Sequence, residues 1–204
     1  MDVFERHRGV AAPILRDNID TDAIIPSREM KRVSKLGLGE GLFAGWRYLS
    51  QGGREANPEF VLNKPAYKDA SILLSGPNFG CGSSREHAVW ALREYGIRAI
   101  IAPGFGAIFA NNCVRNGLLP LVLDDRQIRE IADWVQLDPV ANQLLIDLPA
   151  QQVQALGRVY AFEVDQAAKR MLVEGLDAIA LTQTRWEVIE AFHQARKASR
   201  PWVF

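Results

Sequence analysis

Cysteine is scarce in this chain. Cys81 and Cys113 are the two cysteines among 204 residues, and neither belongs to a C-x-x-C pair. That excludes a disulfide framework. The three histidines, His7, His87 and His193, are scattered without H-x-x-x-H spacing. A zinc or iron–sulfur site built by this chain alone is therefore not expected, and no metal ligand or cofactor-binding residue is assigned to it. An excess of one charge is also lacking: 24 Lys and Arg face 24 Asp and Glu. Without a basic surplus, a nucleic-acid partner is not expected. No run of 18 apolar residues exists, so no membrane span is expected. Residues 1–8 are polar and charged and lack the apolar core of a secretory signal. A reducing cytoplasm fits these absences best.

What is present is an ordered alternation of patterns. Apolar runs at 71–75, 98–102 and 119–123 read as strands. Between them, 84–95 and 105–116 carry helical periodicity, the second closed by Gly117. An earlier strand is expected near 9–14. Strands alternating with helices imply a parallel sheet with crossover connections. A helix over 125–136 follows, with Ile128, Ile131, Ala132 and Val135 on one face. The period then changes to two at 144–148, 151–154 and 158–164, as in antiparallel strands. Helices are expected over 166–174, ended by Gly175, and over 184–197, where Val188, Ile189 and Phe192 recur. The predicted fold class is α/β: a three-layer β/β/α domain with a parallel sheet, flanking helices and a smaller antiparallel sheet beside it. No linker divides the chain, so 1–204 is expected to be a single domain. Glycines 37, 39, 41, 45, 52 and 53 make the long 35–64 stretch an expected loop, of a length usually tied to function.

The densest chemistry lies at 78–88, NFGCGSSREHA. It follows a strand and opens a helix, so a glycine-rich turn presents backbone N–H groups where the helix dipole is positive. Ser83, Ser84 and Arg85 stand there, which suits a carboxylate or phosphate. Ser83 and Glu86 also fit S-x-x-E, so Ser83 could simply cap the helix, with Glu86 serving that cap. His87 is a packing residue by default. Cys81 reads as a small residue of the turn, with a low-pKa thiolate as the alternative.

Other groupings are weaker. Asp17, Asp20 and Asp22 lack the glycine and distal glutamate of a calcium loop, so a turn whose carboxylates orient their neighbours is expected. Arg28, Lys31, Arg32 and Lys35 form a short basic cluster, ordinarily a solvated face. Asn111, Asn112 and Asn116 gather at a helix end. The whole offers anion binding and a hydroxyl but no Lewis acid and no strong base. A serine acts as a base only in a dense field of donors and positive charge. Half a site implies a partner holding the other half.

The 78–88 string resembles the signature of the swivelling domain of aconitase-like hydro-lyases, and more closely that of 3-isopropylmalate dehydratase small subunits. DTDAIIP at 20–26 matches a second signature, and shorter similarities at 43–49, 57–58, 60–63, 117–120 and 175–177 fall in the family's order. The resemblance implies a swivelling fold and a lyase half-enzyme. Its large-subunit partner would carry a [4Fe–4S] cluster. Ser83 would be the catalytic base, with Ser84, Arg85 and Asp22 as substrate-binding residues for a small dicarboxylate. The net reaction implied is 2-isopropylmalate to 3-isopropylmalate, in leucine biosynthesis. Citramalate, homoaconitate and dimethylmalate dehydratases use similar small subunits. Leu38, Leu42, Phe43 and Trp46 of the long loop are the expected apolar wall for the substrate's alkyl group. Ala107 departs from relatives, which often have an acidic residue there. A non-catalytic anion-binding module is the alternative class, though G-x-x-x-x-G-K-[ST] and the third glycine of a dinucleotide fingerprint are both missing. A Cys- or Ser-nucleophile hydrolase has even less support, since G-x-S-x-G is absent.

Overall fold

The computed structural model describes residues 1–30, 37–83 and 85–203. Along the chain lie β1 (Arg6–Ile14), α1 (Thr21–Ile24), α2 (Ala44–Arg47), β2 (Ala70–Ser75), α3 (Glu86–Tyr95), β3 (Ala99–Ala102), α4 (Ala107–Arg115), β4 (Leu119–Val122) and α5 (Asp125–Leu137). After them come β5 (Leu144–Asp147), β6 (Gln152–Ala155), β7 (Arg158–Ala161), α6 (Gln166–Glu174), α7 (Ala178–Gln183) and α8 (Trp186–Ser199). The strands align in the order β4-β3-β2-β1-β5-β6-β7. From β4 to β1 all pairings are parallel, and from β1 to β7 all are antiparallel. The expected parallel and antiparallel parts are thus present, and they are continuous through β1. Arg6–Gly9 pairs with β5, while Val10–Ile14 pairs with β2, and the register shifts between Val10 and Ala11.

The centre of the parallel half is buried, and exposure appears only toward its edge, at Val122 of β4. Ala11, Ala12, Ile72, Leu73, Leu74 and all four residues of β3 have no accessible surface. Such strands are continuous apolar runs because helices cover a parallel sheet. Helix α5 packs on β1, β2 and β3. Its Ile128, Ile131, Ala132 and Val135 are all fully buried, as their spacing predicts. Each large side chain among them contributes roughly 1.5–3 kcal/mol by leaving water. Asp124, just before the helix, donates its N–H to Gln127 Oε1 at 3.2 Å, helping to fix the start.

The long connection differs from its expected role. It is irregular, as its glycines imply, but Leu38, Leu42 and Phe43 are fully buried in the core. They cannot form the wall of a substrate pocket in this fold; only Trp46 of that set is partly exposed. Side chains satisfy the irregular backbone. Glu94 accepts from the N–H groups of Gly37 and Gly39 at 2.5 and 2.7 Å. Asn63 donates to the carbonyls of Arg47 and Asn57, and Asn57 to that of Trp46. The C-terminal region also departs from expectation. Helix α7 precedes α8, capped by Asp177, which accepts from the Ala180 N–H at 2.7 Å. On α8, Val188 and Phe192 are 70 % and 64 % exposed, so this apolar face is not part of the core. A cleft of about 840 Å³ lies between α6, α7 and α8 and includes Arg170, Arg185 and Val188.

Candidate functional site

Three residues with left-handed backbone turn the chain sharply after β2: Asn78, Gly80 and Gly82, with φ of 60°, 72° and 85°. At Gly80 a side chain would collide with the Phe109 ring, so only glycine combines that conformation with that approach. The loop is stitched on both sides. Gly80 donates its N–H to Ile19 O at 2.7 Å, and Thr21 donates its own to Cys81 O at 3.1 Å. On the other side Gly106 donates to Phe79 O at 2.9 Å, and Phe79 to Gly104 O at 3.1 Å. Phe79 is fully buried, edge-on to Phe105 and Phe109. The entry to α1 and the approach to α4 therefore clamp one loop between them.

Ser83 is exposed at the top of this loop. Its carbonyl accepts a hydrogen bond from Thr21 Oγ1 at 3.0 Å. Ser83 is not the helix cap. The N-cap position of α3 belongs to Arg85, in extended conformation, and the helix begins at Glu86. The S-x-x-E reading therefore fails. Glu86 instead accepts from Asn116 Nδ2 at 2.8 Å, and Asn116 Oδ1 accepts from Trp90 Nε1 at 3.0 Å. Asn116, one of the asparagines gathered at the end of α4, thereby ties that end to the first turn of α3. His87 contacts the Trp90 ring at 4.9 Å between centroids, consistent with packing.

Arg85 forms an ion pair with Asp22, whose Oδ1 also accepts from Ser27 Oγ at 3.3 Å. Asp20 caps α1 by accepting from the Ala23 N–H at 2.7 Å. The D-T-D run thus orients its neighbours, as expected, and it brings Asp22 to Arg85. Ser84, Lys31, Arg32 and Lys35 lie outside the described residues. Ser83, Arg85, Thr21, Cys81, Ala107 and Ile108 line one cleft of about 320 Å³. Thr21 and Ile108 were not singled out in the sequence. Thr21 stood in plain view between two aspartates. Ile108 is 55 % exposed in the first turn of α4, next to Ala107.

The thiols differ sharply. Cys113 is fully buried on α4, and burial pushes its thiol well above the usual range. Cys81 is half-buried in the cleft. Among the described residues no group of three His, Cys, Asp or Glu side chains could hold a metal ion.

Residues 1–126 match the aconitase C-terminal domain family. A 3-isopropylmalate dehydratase small subunit from Cupriavidus necator is 60 % identical over all 204 residues of this chain and 98 % of its own length. The chain belongs to the 3-isopropylmalate dehydratase small-subunit family. A crystal structure of 3-isopropylmalate dehydratase from Methanocaldococcus jannaschii superposes with a TM-score of 0.64 at 25 % identity. That match covers 92 % of this chain and 99 % of the other. The match to that small subunit spans both the D-T-D turn and the serine loop, whose contacting residues Thr21 and Ser83 lie 62 positions apart in sequence and side by side in the fold.

Proposed function

We propose that this chain is the small subunit of a hydro-lyase that interconverts 2-isopropylmalate and 3-isopropylmalate in leucine biosynthesis, acting as one swivelling domain with a cluster-bearing large subunit. The observation that carries the reading is Ser83: exposed at a cleft beside Arg85, not the cap of α3, and held in the loop just ahead of that helix. Ser83, as the alkoxide left when its hydroxyl proton passes to solvent, takes the proton from the carbon next to a substrate carboxylate and returns to the hydroxyl form. Arg85, oriented by Asp22, donates N–H groups to that carboxylate, and Ser84 is the other residue assigned to it from the sequence. The positive end of α3 and the guanidinium lower the cost of negative charge on the Ser83 oxygen and the carboxylate. The alkene left by loss of water is an isopropylmaleate, and water returns at the neighbouring carbon.

A [4Fe–4S] cluster belongs to the partner in this reading. This chain's thiols do not fit as its ligands: Cys113 is sealed in the core and Cys81 has no second thiolate beside it. Bound on the partner, the cluster supplies Lewis-acid activation of the substrate hydroxyl. With Leu38, Leu42 and Phe43 in the core, Ile108, 55 % exposed at the cleft, is the described apolar side chain most accessible to the alkyl group. Among the described residues no helix is long and apolar enough to cross a membrane, and a cytoplasmic location suits the proposed pathway.

The test is Ser83→Ala in the reconstituted two-subunit enzyme. Turnover falls by at least about 10²-fold, the low end for loss of a general base, while subunit assembly and the melting temperature stay unchanged. Full activity in Ser83→Ala, or robust turnover by the small subunit alone, refutes the assignment.

A further inference from the structure

We infer that Thr21 is the positioning residue for Ser83. The inference rests on the reading of Ser83 as the base. Thr21 is 1 % exposed, whereas Ser83 is exposed. A buried, fixed group therefore holds a surface loop. The hold has two points. The Thr21 N–H bonds Cys81 O at 3.1 Å, and its hydroxyl bonds Ser83 O at 3.0 Å. The neighbouring Asp22 pairs with Arg85. Consecutive residues of α1 thus locate both the proposed base and the proposed carboxylate ligand.

Helix α1 has only four residues and could not hold this geometry unaided. Its anchor is the long connection. Ile24 and Ile25 are fully buried, and Ile24 O accepts from the Phe43 N–H at 2.7 Å. Phe43, itself buried, stacks on Trp46 with 5.5 Å between ring centroids. The chain of support runs from the buried 38–44 segment to α1, from α1 to Thr21, and from Thr21 to Ser83. In this arrangement the buried long connection serves catalysis by fixing a loop rather than by touching substrate.

The hydroxyl is the decisive atom. Ser83 is an exposed residue and its bond to Thr21 is only part-buried, so water can reach the carbonyl that loses its donor and the loss costs folding little. It frees the loop to move, and a displacement of about 1 Å at a reacting group costs on the order of 10²-fold in rate.

The experiment compares Thr21→Val and Thr21→Ser in the reconstituted two-subunit enzyme, measuring kcat, KM and the small subunit's melting temperature. Thr21→Val lowers kcat about 10- to 100-fold with KM changed less than about twofold. Thr21→Ser, which keeps the donor, restores kcat to within about threefold of the parent, and this rescue holds whether or not Thr21→Val lowers the melting temperature. A fully active Thr21→Val beside an inactive Ser83→Ala overturns this inference alone. Equal loss in Thr21→Val and Thr21→Ser also overturns it, because the hydroxyl would then not be what matters. A fully active Ser83→Ala overturns the base assignment and this inference with it.

Discussion

Replacing Gly80 by alanine separates two costs that the serine loop imposes. Gly80 has φ of 72°, and a methyl group there would collide with the Phe109 ring. The left-handed conformation costs an alanine about 1–2 kcal/mol. The collision adds an overpacking cost of about 1–3 kcal/mol. Phe109 is 3 % exposed and packs on Phe79 at 5.4 Å, so its ring gives way only by disturbing that packing. Gly80→Ala is therefore destabilised by about 2–5 kcal/mol, the sum of the two costs. Gly82 supplies the control. Its φ is 85°, but a methyl group there meets only Asp20 Cβ at 3.5 Å, an ordinary contact. Gly82→Ala incurs the conformational cost of about 1–2 kcal/mol alone. Urea unfolding of both variants, followed by circular dichroism, gives the two values directly. In thermal melts the extra cost of Gly80→Ala corresponds to about 2–4 °C per kcal/mol for a chain of this size. If Gly80→Ala is no less stable than Gly82→Ala, the argument from close packing against α4 is wrong.

Two further outcomes follow from groups already described. Iodoacetamide should modify one thiol per native chain, at Cys81, and both thiols after denaturation, because burial closes Cys113 and holds it protonated; mass spectrometry of digested protein reads this, and labelled Cys113 in native protein refutes it. His7 lies 2.8 Å from Ser71 Oγ, and burial first, then Arg98, lowers its pKa below the usual 6.5. The unfolded chain thus binds the proton more readily, so the stability from neutral His7 is complete above pH 6.5 and is lost as pH falls from there through the lowered value. Melting temperatures of the parent and His7→Gln measured between pH 7.5 and 5 should diverge in slope, the variant being flatter; parallel slopes refute the assignment.

Local patterns carried much of this architecture. The face of α5 follows directly from the spacing of Ile128, Ile131, Ala132 and Val135, and α6 ends at Gly175, whose φ of 68° provides the left-handed C-cap. What local pattern could not supply is partner choice at a distance. S-x-x-E at 83–86 has the form of a capping box, yet α3 starts at Glu86 because Arg85 is extended and engages Asp22, 63 positions away. Glu86 finds Asn116 across 30 positions rather than turning back on its own helix. The glycine-rich connection looked irregular and is, but its burial depends on Glu94 satisfying Gly37 and Gly39 from another element. The expected apolar wall failed for that reason. The site itself was legible to the extent that its residues stand in two compact runs, and the contact between those runs emerges only when β1 and β2 pair.

The dual pairing of β1 has a consequence for how the chain is made. Its two neighbours, β2 and β5, begin at Ala70 and Leu144. During synthesis β1 leaves the ribosome first, and its antiparallel side waits until more than 120 further residues have followed. Until then one border of the nascent sheet stays open, and contacts of such sequence separation are slow to close. The earliest of these strands becomes the seam between the two halves only once β5 arrives, so early release or stalling before β5 leaves an exposed strand edge of the kind that recruits other chains.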